Sequence, residues 1–339
     1  MKRILSGVQP TGNLHLGNYL GAMKNWVAMQ NDYDCLFCVV DLHAITVPQN
    51  PAELRTNVMD TVAMYLASGI DADKSAIFPQ SLIPEHAELM WILACHTPLG
   101  WLNRMTQFKE KAGKKKDQAS LGLYGYPVLM AADVLLYQTT DVPVGHDQKQ
   151  HLELARDIAG AFNRFYGQDF FTLPEPRILG DATRVMSLRD GTSKMSKSDT
   201  SDASRINLMD CPDTVTKKIK KAKTDSDPFP ISPEGLGDSR PEVANLLNIY
   251  AAFSGMKKED ICQKYGGKNF SDFKMDLVDI TNNTLEPIRD KFLDLKKNPD
   301  HLNHVIKKGS DRARSIAVDT MKQVRNLVGF YSLSRRPGA

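Results

Sequence analysis

The sequence predicts an α/β fold: a parallel, doubly wound sheet over residues 1–205, followed by an all-helical region. Three observations carry this. Short apolar runs alternate with longer amphipathic patterns through the first half, the rhythm of strand–helix–strand units. The first run opens into a glycine-rich loop and a helix, Gly7 to Gly21, GVQPTGNLHLGNYLG. Past residue 206 the strand-like runs stop and only the helical period persists.

Taken in order, Ile4-Leu5 marks the first strand. The loop after it places glycines at 7, 12, 17 and 21 before a helix N-terminus, where free N–H groups and the helix dipole suit an anion. Asn13 stands where a P-loop needs Lys, and G-x-G-x-x-G is absent. On its own the stretch reads equally as a turn that caps a helix. Cys35–Val40, bounded by Asp34 and Asp41, is a strand buried on both faces. Asn50-Pro51-Ala52-Glu53 is an N-cap, a first-turn Pro and a capping-box Glu. Val58, Met59, Val62, Ala63 and Leu66 form the apolar stripe of that helix, and Gly69 ends it. Ala76–Phe78 is a further strand, and helices over 84–95 and 127–138 each open on a Pro. Asp141–Val144 is another strand, before a helix carrying Leu152, Ala155, Ile158, Ala159 and Phe162. Ligands of such a sheet sit beyond the strands' carboxyl ends, where Gln9, Asp41 and Gly145 fall.

Ser193–Ser204 reads as an exposed loop. The helices beyond it carry Val215/Ile219/Ala222, Val243/Leu246/Leu247/Tyr250 and Phe273/Leu277/Ile280/Leu285, with a last one near 311–328. The division expected is 1–205, then 206–305, then a terminal helix over 306–330 that packs back on the first domain.

Composition sets outer limits. Lys+Arg 43 against Asp+Glu 40 leaves a net charge of +3, too little to argue a nucleic-acid partner from bulk charge. No apolar run reaches membrane-spanning length and none resembles a secretory leader. The five cysteines are odd in number; Cys35 and Cys38 point to opposite strand faces, and no second pair completes a zinc site. A cytoplasmic protein with reduced, buried thiols and no protein-held metal is expected.

Two motifs carry chemistry. His15-Leu16-Gly17-Asn18 lies in the first loop, and Lys194-Met195-Ser196-Lys197-Ser198 lies far downstream. Two ammonium groups three residues apart on a polar, Gly-preceded loop can swing onto a polyphosphate, although K-x-x-K alone is usually a solvated charge run. In this order and on these elements the pair resembles the two signatures of class I aminoacyl-tRNA synthetases. The first is degenerate, with Leu16 and Asn18 where the family has Ile and His, and the second is intact. GVQPTGNLHLGNYLGA, VVDLHAIT, MTQFKEK, YPVLMAADVLLYQ and VPVGHDQKQHLEL narrow this: they are similar to bacterial tryptophanyl-tRNA synthetases across residues 7–198, and the remainder, with NLLNIY at 245–250, fits to about residue 330.

That resemblance implies a Rossmann-like catalytic domain and an all-helical anticodon-binding domain. It implies a homodimer that activates L-tryptophan with ATP and Mg²⁺ and charges tRNA(Trp). His15, Lys194, Lys197 and Lys111 would neutralise phosphate charge. Gln9, Pro10, Thr11, Gly17, Asn18, Gly145, His146, Asp147, Val185 and the Lys194–Ser198 run (with Met195, Ser196) would hold ATP. His146 stands where the family more often has Glu and reads as a variant loop residue. Tryptophan would meet Asp133, Tyr126, Met130, His43, Val40, Val142, Val144 and Gln148; for His43 and the valines a purely structural reading stays open.

The residues argue one of these roles directly. Asp133 is the only charge in the apolar run Pro127–Gln138, so burial demands a donor. Arg, Tyr or a backbone N–H could supply it. So could an indole, which offers one N–H and no acceptor. Tyrosyl-tRNA synthetases share the fold, but a phenol needs polar groups that this segment lacks. A small nucleotidyltransferase would not need the long helical remainder, and a non-catalytic RNA-binding relative predicts broken motifs. Lys217, Lys218, Lys220, Lys221 and Lys223 read as the wet face of a helix, available to tRNA phosphate.

Overall fold

The computed structural model describes residues 2–105, 119–145, 149–178, 184–197 and 199–332. Its sheet has five parallel strands in the order β3-β2-β1-β4-β5. They are β1 (Arg3–Val8), β2 (Asp34–Val39), β3 (Ala76–Pro79), β4 (Asp141–Val144) and β5 (Glu175–Ile178). The chain steps outward from β1 to β3, then restarts beside β1 with β4. Loops leaving β1 and β4 therefore diverge, and the crevice between them is where such sheets bind ligands.

The helices of this half are α1 (Leu16–Asn18), α2 (Asp41–Ala44), α3 (Pro51–Ala67), α4 (Glu85–Ala94), α5 (Leu99–Asn103), α6 (Leu121–Leu136) and α7 (Lys149–Tyr166). α1 continues through a π-helical stretch, Tyr19–Met23, into Lys24–Met29. α6 corrects the expectation that Pro127 opens its helix. Ser120 is the N-cap and accepts from Leu123 N–H, so Pro127 lies inside the helix. A satisfied cap and a nearly continuous buried surface outweigh the lost proline donor.

Side chains of β2 alternate between two cores. Cys35, Phe37 and Val39 pack with Met23, Trp26 and Tyr65 on one face; Leu36 and Cys38 pack with α4, α6 and α7 on the other. Trp26 stacks on Phe37 at 4.8 Å and meets Tyr65 edge-on at 5.3 Å. All five cysteines are free, but only Cys35, Cys38 and Cys262 are buried; exposed Cys95 and Cys211 correct the expectation of buried thiols.

The helical region contains α8 (Pro212–Lys220), α9 (Leu236–Ser239), α10 (Pro241–Ser254), α11 (Lys258–Tyr265) and α12 (Phe270–Lys296). Phe229, Tyr250 and Tyr265 cluster around Phe273, with ring centroids 4.5, 5.4 and 5.3 Å from it. This core is continuous with the first face of the sheet.

The last helix, α13 (Pro299–Val328), starts well before residue 311. Its early residues Leu302, Val305 and Ile306 join the first core, and Ala313, Ala317, Met321 and Val324 join the second. It therefore crosses over edge strand β3. A Cβ on Gly309 would lie 2.0 Å from the Ile77 carbonyl oxygen, so only glycine allows this approach. Lys308–Asp73, Arg312–Asp34 and Arg325–Glu88 ion pairs flank the contact.

Candidate active site

Both candidate subsites lie at the carboxyl ends of β1 and β2, which the Val40 N–H to Val8 C=O bond ties together (3.2 Å). Gly7 is inside β1, where a Cβ would come 2.3 Å from the Cys38 carbonyl oxygen; its role is close strand packing. Gln9, Pro10 and Thr11 form the turn that follows, closed by Thr11 N–H donating to Gln9 C=O at 2.9 Å.

His15 and Asn18 cap α1 reciprocally. Gly17 N–H donates to His15 Nδ1 at 3.0 Å, and His15 N–H donates to Asn18 Oδ1 at 3.1 Å. The capping box fixes the ring and makes Nδ1 the acceptor, so the proton sits on Nε2. The ring is 4% exposed. Burial first, then the charges of Lys197, Arg205 and Lys194, push its pKa down to about 4. It is neutral at pH 7.

The second motif folds against the first. A short hairpin pairs Met186 with Lys194, with Ser187 N–H donating to Ser193 C=O (2.8 Å) and Met195 N–H to Val185 C=O (3.1 Å). Met195 and Val185 are buried, and Met195 Cβ lies 3.9 Å from where a Gly17 Cβ would stand. Lys194 is exposed, with Ser196 and Lys197 half-buried beyond it. Lys197 Nζ donates to the Gln9 carbonyl at 3.3 Å, and burial pushes its pKa down to about 8. The chain then passes the first loop again: Leu16 N–H donates to Ile206 C=O at 3.0 Å and Leu208 N–H to Leu14 C=O at 2.8 Å.

Helical-region side chains hold both stems of this second loop. Asn245 on α10 is buried; its Oδ1 accepts from Met186 N–H (2.8 Å) and its Nδ2 donates to Met186 C=O (2.9 Å). On the outgoing side Lys218 is buried between Asp202 (2.6 Å) and Asp210 (2.7 Å). Lys218 therefore corrects the reading of five solvated lysines; Lys217, Lys220, Lys221 and Lys223 are exposed. The one signal for Asn245 is a polar residue at a core position of NLLNIY.

Asp133, on α6 and 5% exposed, has protein donors other than the Arg, Tyr or backbone groups considered. Its Oδ1 accepts from Gln80 Nε2 (2.6 Å) and lies 2.7 Å from His86 Nδ1; its Oδ2 lies 2.7 Å from His43 Nε2. Burial alone would raise its pKa, but its partners His43 and His86 outweigh it and hold the carboxyl well below the usual range. His43 meets the Tyr126 ring edge-on at 6.2 Å, and Tyr126 Oη lies 3.0 Å from His151 Nε2. Met130 follows Tyr126 by one turn of α6 and is half-buried, as is Val40; Val142 is buried in the second core, Val144 ends β4, and Gly145 comes next. Gln80, His86 and His151 are the members of this cluster that sequence reasoning missed. Lys111, His146, Asp147, Gln148 and Ser198 lie outside the described residues.

Residues 1–286 match the family described as tRNA synthetases class I (W and Y). The chain belongs to that family. The tryptophan–tRNA ligase of Rickettsia bellii is 54% identical over 97% of this chain and 99% of its own length. Among solved structures, tryptophanyl-tRNA synthetase from Mycoplasma pneumoniae superposes with a TM-score of 0.90, at 34% identity over 99% of this chain and 100% of that one. The Campylobacter jejuni tryptophanyl-tRNA synthetase complexed with ADP and tryptophan gives 0.80, at 36% identity, covering 97% and 100%. An archaeal tyrosyl-tRNA synthetase, at 19% identity and a TM-score of 0.67, shares the fold.

Proposed function

We propose that this protein is a tryptophan–tRNA ligase: it joins L-tryptophan to ATP, giving tryptophanyl-adenylate and pyrophosphate, then transfers tryptophan to tRNA(Trp). The observation that carries the choice of amino acid is Asp133. A carboxylate accepts at about four lone-pair positions, and the donors among the described residues are Gln80, His86 and His43, which leaves one position on Oδ2 for an indole N–H. The near full-length relatives named tryptophan–tRNA ligases support the same reading.

In the first step a tryptophan carboxylate oxygen attacks the α-phosphorus in line, and the bond to the pyrophosphate oxygen breaks. The nucleophile is already anionic, so the protein's task is positioning and charge stabilisation rather than base catalysis. Gln9, Gly17 and Asn18 approach the nucleotide; Lys194, Lys197 and the Nε2–H of His15 face its phosphates, with Lys111 as a further cation. Mg²⁺, brought as the nucleotide's own ion, would neutralise charge on the leaving pyrophosphate. Gly145 follows β4 at the same crevice; by resemblance Gly145, His146 and Asp147 would contact ATP, and Gln148 tryptophan. In the second step a terminal ribose hydroxyl of tRNA attacks the adenylate carbonyl and AMP leaves.

The region from 206 to 305 would read the anticodon, with exposed Lys217, Lys220 and Lys221 toward phosphate. The functional unit is a homodimer in the cytoplasm. Trp91, Leu99 and Leu121 are 69%, 67% and 83% exposed on α4, α5 and α6, of which α4 and α5 each contact α6; these exposed apolar side chains suit a second copy. ATP–pyrophosphate exchange with each amino acid tests the assignment. Exchange must require tryptophan, and exchange supported by tyrosine alone would refute it.

A further inference from the structure

The carboxylate of Asp133 is loaded unevenly. Among the described residues Oδ1 carries two partners, Gln80 Nε2 and His86 Nδ1, and Oδ2 carries one, His43. Behind His86 stands another group: its Nε2 lies 2.7 Å from Tyr137 Oη. His86, Tyr137 and Gln80 are all 0% exposed, and Phe78 closes the cluster, 6.4 Å from the His86 ring and 5.8 Å from Tyr137.

The ionised carboxylate fixes the direction of these bonds. Asp133 can only accept, so His86 Nδ1 donates to it, and Nε2 of the neutral ring accepts from the Tyr137 hydroxyl, which burial pushes well above its ordinary pKa and which keeps its proton. A neutral imidazole that accepts at Nε2 carries its proton on Nδ1, which donates to Asp133. The chain of donors runs Tyr137 to His86 to Oδ1. Gln80 takes the second position on the same oxygen, and its own Oε1 is buried without a partner among the described residues. Both acceptor positions of Oδ1 are therefore filled by the protein, and the carboxyl group cannot turn about its Cβ–Cγ bond without breaking two charge-assisted bonds.

We propose that Gln80, His86 and Tyr137 are positioning residues for tryptophan recognition: they saturate Asp133 Oδ1, lock the carboxylate plane, and reserve the open position on Oδ2 for the indole N–H. This rests on the reading that Asp133 receives that N–H. A carboxylate free to rotate, or to bring in water, binds any flat bicyclic side chain almost as well; a locked one rejects a ring that lacks the N–H.

The test compares two ligands, L-tryptophan and the alanine derivative in which sulfur replaces the indole N–H (a benzothiophene side chain). Dissociation constants are measured for the full chain and for Tyr137→Phe and His86→Leu. The wild type should strongly prefer tryptophan. His86→Leu should cut the ratio of the two constants about ten- to hundred-fold, the range for losing one charge-assisted hydrogen bond, and Tyr137→Phe should cut it less. The loss should fall on tryptophan and spare the sulfur analogue. Equal weakening of both ligands, or an unchanged ratio in Tyr137→Phe and His86→Leu alike, would overturn the proposal. Should His86→Leu fail to fold, Tyr137→Phe, which removes one hydroxyl, decides alone. A wild type that does not distinguish the ligands would instead refute the Asp133 reading, and this proposal with it.

Discussion

Lys197 should take up a proton when ATP binds, and the effect should grow with pH. In the free protein its ammonium is half-buried against the Gln9 carbonyl, and its pKa falls from 10.5 to about 8. From that value it is about 90% protonated at pH 7 but only about a quarter protonated at pH 8.5. A phosphate oxyanion beside it restores the charged form. Binding should therefore capture about 0.1 proton at pH 7 and about 0.75 at pH 8.5 through this one group. Titration calorimetry in two buffers of different ionisation enthalpy, at each pH and without tryptophan, reads the number directly. His15, with a pKa near 4, adds protons mainly on the acid side. The terminal phosphate of ATP, which titrates at about pH 6 as phosphate monoesters do, adds nothing at pH 8.5. Lys197→Arg, which cannot lose its proton, should abolish the rise. Uptake that stays flat or falls between the two pH values, or that survives in Lys197→Arg, would refute the placement of this ammonium at the phosphates. The same shift sets a stability trend. The unfolded chain binds more protons between pH 8 and 10.5, so the free protein gains stability from this group as pH rises through that window.

Gly309→Ala would drive a Cβ to 2.0 Å from the Ile77 carbonyl oxygen, a contact between two backbones with no flexible end to yield. Overpacking of this kind costs about 3 kcal/mol or more, so thermal unfolding of the full chain should drop by about 5 °C or more; a Tm within one degree of wild type would contradict the packing. Asn245→Ala should strand the N–H and C=O of Met186, each worth about 1–3 kcal/mol when buried and unpaired. It should loosen the Lys194 hairpin, raising the KM for ATP about ten-fold while tryptophan binding stays unchanged. Steady-state exchange kinetics separate the two, and equal effects on both substrates would show that Asn245 serves folding alone.

Four of the five strands were legible because the interior of a parallel sheet demands apolar residues on both faces. β5 escaped because Glu175-Pro176-Arg177 has no apolar run: it is the far edge strand, and its charges find partners elsewhere, Glu175 with Arg156 and Arg177 with Asp141. That the first loop and Lys197 would meet was legible from the two motifs, since a motif records which residues must meet even when folding alone brings them together. The partners of Asp133 were not. Gln80 and His86 stand 53 and 47 residues away, and no local rule says which buried donor a carboxylate will find. Lys218 was hidden by its neighbours: its sequence context is that of a solvated lysine, and only tertiary packing places it between two aspartates.

The crossing of α13 over β3 has a consequence for how the molecule is made. Asp73, at the start of that edge, waits for a partner 235 residues later. A ribosome adding about 5–20 residues per second needs roughly 12–45 seconds to supply it. Through that interval the nascent sheet carries an open edge, the kind of surface that pairs with a second chain. The sheet half is thus sealed by a helix that emerges long after it, and a polypeptide stopped before Gly309 would carry both motifs on a sheet with an unguarded border.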